Sequence, residues 1–225
     1  MRVLVTRHPN PAMRTYTIYP WRTLTGLREE QTLSITYPMS HRDEGSLTSI
    51  DSNVSETLRN LLHIPGVTEI TLIKNGVWIT LGRAFDWDDI EPRIITTINA
   101  GLSGETGTIA PQEPVRARIV VEHVPNERMR YFHTTAQISE QQIRGFDSRF
   151  ETDDDASRPI GTVGSRLVHD ILALIKEGDL TIYPYGFYVI VTEAASWDTL
   201  MPQLLQLVKR CFEKPEEAVV EEIRS

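Results

Sequence analysis

A chain of 225 residues is long enough for one large domain or for two domains of about 100 residues each. Hydrophobic residues make up 40% of it and charged residues 24%, a composition typical of a packed globular protein rather than of a disordered one. The formal net charge of −8 argues against nucleic acid as a partner, because binding to a polyanion depends on clustered Lys and Arg.

The first half of the chain alternates strand-forming and turn-forming segments. The turn HPNPA separates two β-rich runs and so predicts a hairpin, and Asn75-Gly76 predicts a second one. Capping residues at Asp51 and Asp86 predict the beginnings of two helices, with a polar loop over 40–53 before the first. In chain order the pattern predicts strands over 3–7, 13–19 and 32–37, a helix over 51–62, strands over 69–73 and 77–81, and a last helix from 86 to at least 98.

The second half follows the same order of elements. Its second hairpin passes through Tyr185-Gly186. The Glu-rich end of the chain, over 213–225, is expected to be frayed or a loose helical extension. The pattern predicts strands over 117–124, 128–138 and 148–151, a helix over 161–177, the hairpin, and a helix over 196–212.

Two collinear blocks of similar sequence relate the halves to each other. RVLVTRHPNPAMRTY aligns with RIVVEHVPNERMRYF when Arg2 is placed on Arg118. LLHIPGVTEITLIKNGVWITLGRAFDWDDIEP aligns with ILALIKEGDLTIYPYGFYVIVTEAASWDTLMP when Leu61 is placed on Ile171, so the first half is longer by an insertion that falls within 40–53. Two blocks that each match turn residues as well as apolar ones indicate an internal repeat.

The sequence therefore predicts two copies of one α+β domain. Each copy is a two-layer β-β-β-α-β-β-α unit with a mostly antiparallel sheet and its helices on one face. The first copy is assigned to residues 1–100, a Gly- and Pro-rich linker to 101–114, the second copy to 115–213 and an acidic tail to 214–225.

Candidate binding residues fall at matching positions of the two copies. Turn prolines and asparagines with a nearby arginine favour a docking tip, although Pro and Asn are turn formers in their own right. A Trp-Asp pair at the start of the last helix favours an interface anchor, or else a Trp packed under the helix beside an Asp that favours the helix dipole. The candidates are Pro9, Asn10, Arg14, Trp87 and Asp88 in copy one, and Pro125, Asn126, Arg130, Trp197 and Asp198 in copy two.

Residues for catalysis or metal binding do not form a recognisable pattern. The single cysteine, Cys211, lies on an apolar helix face, and Ser165 lacks the frame of a nucleophile elbow. The six histidines have no metal-ligand spacing, and the run 153–155 of three Asp is interpreted as a helix cap rather than a calcium loop. We therefore expect no catalytic residue, no bound metal and no cofactor.

The motifs HPNPAMRTY, IPGVTEI, VWITLG and DWDDIEP resemble the N-terminal domain of Nfu/NifU-type iron-sulfur scaffold proteins, and EHVPNERMRYF, FETDDDASRP and SWDTLMP in copy two are similar. The family's separate C-terminal domain with its Cys-x-x-Cys is absent from this sequence. Glu127 replaces the second turn proline in copy two, and Glu91 and Met201 stand where the family usually has Lys. The resemblance implies an accessory or docking role near iron-sulfur cluster assembly, with protein partners and without cluster transfer by this chain alone.

Two other functions stay open: a regulatory or ligand-binding tandem domain unrelated to iron, and an enzyme with its site between the copies. The single cysteine and the lack of any run of about 18 to 20 apolar residues predict a cytoplasmic protein without membrane association.

Overall fold

The computed structural model describes residues 2–19, 32–103, 114–141, 143–147, 158–192 and 196–225. The chain divides into two units, Met1–Val115 and Arg116–Ser225. Each unit is α+β, with helices beside a sheet that is mostly antiparallel, as the sequence predicted.

Unit 1 contains five strands and three helices among its described residues. They are β1 (Arg2–Arg7), β2 (Met13–Tyr19), β3 (Leu33–Thr36), α1 (His41–Leu47), α2 (Ser52–Leu62), β4 (Val67–Ile73), β5 (Gly76–Leu81) and α3 (Trp87–Ser103). The sheet order is β1-β2-β5-β4-β3, and every neighbouring pair is antiparallel. Alternate strand residues such as Tyr16, Ile70 and Ile79 are fully buried, as are Ile90 and Ile94 on α3, so the core lies between the sheet and the helices.

The short helix α1 corrects the prediction of a loop over 40–53. Ser40 and Asp43 form a capping box, in which the Ser40 hydroxyl accepts from the Asp43 amide at 3.2 Å and the Asp43 carboxylate accepts from the Ser40 amide at 2.9 Å. Leu47 at the end of the helix is buried. The polar stretch over 40–53 therefore contains a capped helix.

Among its described residues, unit 2 repeats the order of the strands and of the two longer helices of unit 1, and it adds one strand. Its elements are β6 (Arg118–His123), β7 (Met129–Thr134), β8 (Arg144–Asp147), a 3₁₀ turn (Arg158–Ile160), α4 (Thr162–Ile175), β9 (Gly178–Tyr183), β10 (Gly186–Val191), α5 (Trp197–Lys209), a second 3₁₀ turn (Pro215–Glu217) and β11 (Val219–Arg224). The sheet order is β11-β6-β7-β10-β9-β8. With β11 set aside, this is the strand order of unit 1.

The added strand shows that the prediction of a frayed or helical tail was wrong. β11 pairs in parallel with β6, from Val219 opposite Arg118 to Arg224 opposite His123. The Arg118 guanidinium donates to both carboxylate oxygens of Glu221, at 3.1 and 2.7 Å. The glutamates that suggested a solvated tail are thus compatible with an edge strand, where polar side chains are usual.

Three further boundaries differ from expectation or cannot be compared. Helix α3 extends to Ser103, so the first residues assigned to the linker are helical, and 104–113 lie outside the described residues. The strand predicted over 148–151 also lies outside them, whereas the third strand of unit 2 is Arg144–Asp147. The N-cap of α4 is Gly161, and the Asp run at 153–155 that was interpreted as a helix cap lies outside the described residues.

Candidate functional site

The β1–β2 turn and the β6–β7 turn are shaped in the same way by an asparagine. The Asn10 side-chain oxygen accepts from the Ala12 amide at 3.0 Å, and the Asn126 oxygen accepts from the Arg128 amide at 3.1 Å. Such side-chain bonds two residues along the chain replace a backbone turn contact. Both asparagines and the prolines before them are exposed, so each turn presents a formed tip to solvent.

A tryptophan from the last helix of each unit fixes this turn. The Trp87 indole N–H donates to the carbonyl of Pro11 at 2.8 Å, and the Trp197 indole donates to the carbonyl of Glu127 at 2.8 Å. Because the acceptor is a backbone oxygen, the exchange of Pro for Glu at this turn position leaves the contact intact.

An arginine on the second strand of the turn completes the arrangement. The Arg14 guanidinium carbon lies 4.6 Å from the ring centroid of Trp87, and that of Arg130 lies 5.1 Å from the ring of Trp197. Both distances are within the range of a cation–π contact. We call these groups the turn–Arg–Trp sites: Pro9, Asn10, Arg14 and Trp87 in unit 1, and Pro125, Asn126, Arg130 and Trp197 in unit 2.

The structure thus brings eight of the ten candidate residues together, four in each unit. Trp197 also packs against the hydrophobic core of its unit, so its structural role and its place in the site coexist. Asp88 and Asp198 lie apart from this arrangement. Both are exposed in the first helical turn, and neither carboxylate makes a hydrogen bond or ion pair with another described residue.

Two residues that the sequence analysis did not place in the site differ between the units. In unit 1 the Glu91 carboxylate forms an ion pair with Arg14 and lies 3.4 Å from the Tyr16 hydroxyl. Burial, followed by the Glu91 charge, raises the pKa of the Tyr16 phenol well above its ordinary value, so it stays protonated. In unit 2 the corresponding residues, by the alignment of the two halves, are Met201 and Phe132.

A second polar cluster lies on the sheet of unit 2. The buried carboxylate of Glu122 lies 2.8 Å from His133 Nε2, and the Tyr183 hydroxyl lies 3.1 Å from His133 Nδ1. The ring of Tyr131 stacks beside that of His133. The sequence signal for this cluster was weak, since its members come from three strands and have no fixed spacing.

The remaining ionisable candidates do not gather into a reactive centre. Burial raises the pKa of the Cys211 thiol to about 11, which disfavours the reactive thiolate. Within the described ranges, no three His, Cys, Asp or Glu side chains are grouped so that they could hold a metal ion. None of the helices in this part of the chain combines the length and apolar character needed to cross a membrane.

Comparison with known proteins gives no relative: no protein-family model, no curated protein and no solved structure matches the chain.

Proposed function

We propose that this chain is a non-enzymatic docking module related to the N-terminal domain of Nfu/NifU-type scaffold proteins. In this proposal it binds protein partners, rather than nucleic acid, among the proteins of iron-sulfur cluster assembly and their clients. The turn–Arg–Trp sites are the contact surfaces, and the chain itself carries no cluster.

The observation that carries the proposal is the recurrence of the same side-chain contacts in both units. The Asn-shaped turn, the indole hydrogen bond and the Arg–Trp stack are all present twice. They persist although the residues around them differ, including Pro11 against Glu127 and Glu91 against Met201. When neighbouring residues differ but the same contacts are kept in both copies, we expect the contacts themselves to have a function.

The chemistry of the site suits protein recognition. Trp and Arg are the residue types that most often dominate the binding energy of protein interfaces. The Asn turn bond and the indole bond fix the tip before a partner arrives, and a preorganised surface loses less conformational entropy on binding.

The cysteine chemistry supports the part of the proposal that concerns clusters. Iron-sulfur clusters are usually held by four protein ligands, mostly thiolates, and this chain has one Cys. With the pKa of Cys211 raised to about 11, its thiol is protonated at neutral pH and is a poor ligand.

Affinity capture under anaerobic conditions tests the proposal. The wild-type chain should retain iron-sulfur assembly or client proteins while itself carrying no stoichiometric iron. The double variant Arg14→Ala/Arg130→Ala should lose them. Arg42→Ala/Arg116→Ala is the matched control, because both of these arginines are exposed and lie outside the sites. Equal capture by both double variants would refute the proposed surface, and iron bound to the purified chain would refute the absence of a cluster.

One feature favours the second function, a ligand-binding domain. A cleft of about 280 Å³ lies between α4 and α5 and is lined by apolar side chains together with Arg166, Arg210 and Asp170. Neither arginine makes an ion pair with another described residue, and two guanidinium groups against the one Asp170 carboxylate give the cleft a net positive charge that suits a small organic anion. Native mass spectrometry of the chain purified from its host would detect such a molecule, and its loss in Arg166→Gln/Arg210→Gln would locate it.

A further inference from the structure

The turn–Arg–Trp sites differ in how the arginine charge is compensated. In unit 1, Nη1 of Arg14 binds a carboxylate oxygen of Glu91, and the two side chains are only 12% and 27% exposed. The Tyr16 hydroxyl lies 3.4 Å from the same Glu91 oxygen. The site of unit 1 therefore contains its own anion.

The site of unit 2 has the arginine without the anion. Nη1 of Arg130 donates to the backbone carbonyls of Glu127 and Met129, at 3.2 and 2.7 Å. Its Nε is buried and has no hydrogen-bond partner, and among the described residues no carboxylate pairs with the guanidinium. The position of Glu91 is taken by Met201, which packs partly against the core.

Two neutral carbonyls orient the Arg130 guanidinium but leave its charge uncompensated. A half-buried guanidinium binds a carboxylate strongly, because the hydrogen bonds are charge-assisted and the planar fork matches the two oxygens. The stacked Trp197 ring holds the guanidinium in place at 5.1 Å, which lowers the entropy lost when an anion binds.

We propose that the turn–Arg–Trp site of unit 2 binds an acidic side chain, Asp or Glu, of a protein partner. The proposal rests on the docking function above. It adds that the partner presents an acidic side chain and that unit 2 is the unit that binds it. Unit 1 shows which anion fits, because there Glu91 supplies a carboxylate to the matching arginine from within the chain. By the same reasoning, the site of unit 1 does not bind a partner's carboxylate, because Glu91 already pairs with Arg14.

The two tryptophan indoles allow both units to be observed in one sample. We would titrate the ¹⁵N-labelled full chain with the probe peptide acetyl-Glu-Glu-Glu-Glu-amide at low ionic strength, where surface charge is little screened. The Trp197 indole and the Arg130 Nε–H signals should shift and saturate, and those of Trp87 and Arg14 should stay in place. Met201→Glu should weaken the response of unit 2 by about tenfold or more, and the isosteric control Met201→Gln should weaken it far less.

A double exchange keeps the test decisive if Met201→Glu alone disturbs packing. In Glu91→Met/Met201→Glu the response should move from Trp197 to Trp87. Equal shifts in both units, or none in either, would overturn the proposal. Peptide binding at unit 2 without capture of any iron-sulfur protein would refute the proposed partner class but not the binding of an acidic side chain. Capture of iron-sulfur proteins without a peptide response would refute the binding of an acidic side chain but not the proposed partner class.

Discussion

The indole N–H of Trp87 donates to the backbone carbonyl of Pro11, 76 positions earlier in the chain, at 2.8 Å. This bond joins the beginning of the last helix to the tip of the first hairpin. Trp197 makes the same bond to Glu127 in unit 2, also at 2.8 Å. The tips of both units are therefore held by side chains rather than by local turn geometry alone.

Replacing Trp87 or Trp197 by Phe should make the β1–β2 or the β6–β7 turn more mobile, because the indole hydrogen bond is lost. The lost hydrogen bond should lower the free energy of unfolding by about 1 kcal/mol for each substitution. The Met13 and Met129 amides, which bond within the turns at 3.0 and 2.9 Å, should exchange faster with deuterium. Trp78→Phe is the control, since Trp78 is 37% exposed on β5 and its indole makes no hydrogen bond with another described residue. Unchanged tip exchange in both variants would contradict the role of the indole bond.

Gly76 and Gly186 should not tolerate a side chain. A Cβ at Gly76 would collide with the carbonyl oxygen of Tyr16, and one at Gly186 with that of Phe132, the matching residue of unit 2. Because backbone cannot yield as a flexible side chain does, Ala at either position should cost about 2–3 kcal/mol of unfolding free energy. Gly45→Ala in α1 meets open space and should instead stabilise by about 0.5–1 kcal/mol. Urea denaturation compares the three, and a neutral Gly76→Ala would contradict the close strand approach.

Cys211 should react with iodoacetamide only slowly at neutral pH. Its pKa is raised by burial from the ordinary 9.0 to about 11, so the native thiol keeps its proton where the unfolded one ionises. The corresponding contribution to stability is present below pH 9 and is lost as the pH rises towards 11. The alkylation rate should therefore rise with pH up to about 11, and Cys211→Ala should lose less stability over that interval. A rate that levels off near pH 9 would show an exposed, ordinary thiol.

Removing β11 should destabilise unit 2. A chain that ends at Ala218 loses the parallel ladder with β6 and the Arg118–Glu221 ion pair, and it leaves β6 as an unpaired edge. We expect a lower thermal midpoint and a tendency to self-associate, measured by calorimetry and light scattering. Glu221→Gln removes only the ion-pair charge and should change the unfolding free energy by less than about 1 kcal/mol. A truncated chain as stable as the full one would mean that the strand is dispensable.

The sequence was informative for several elements whose structural signal is local, although it missed α1, whose Ser40–Asp43 capping box is local too. Helix α2 begins after Asp51, whose carboxylate accepts from the Asn53 and Val54 amides at 2.9 and 3.2 Å, as the capping pattern predicted. The Asn75-Gly76 hairpin was found for the same reason. Strand β11 was missed because its partner β6 is about 100 residues away and nothing local distinguishes a Glu-rich edge strand from a solvated tail.

The candidate site was predictable in its residue types but not in its geometry. The turn, the arginine and the Trp were selected separately, and only the fold places Trp87 on the turn and under Arg14. The difference between Glu91 and Met201 was visible in the aligned halves as a departure from the family pattern. Its meaning depends on a contact with Arg14 across 77 positions, which spacing along the chain does not reveal.

In-cell photo-crosslinking from Glu127 tests the central claim most directly. This residue is exposed at the tip of unit 2, and only its backbone carbonyl takes part in the indole and arginine contacts, so its side chain can be replaced by p-benzoylphenylalanine. Val163, 47% exposed on α4, is the matched control position. We predict crosslinks from position 127 to iron-sulfur assembly or client proteins and none of these from position 163. Crosslinks to such proteins only from position 163, or none from position 127, would contradict docking through the turn–Arg–Trp sites.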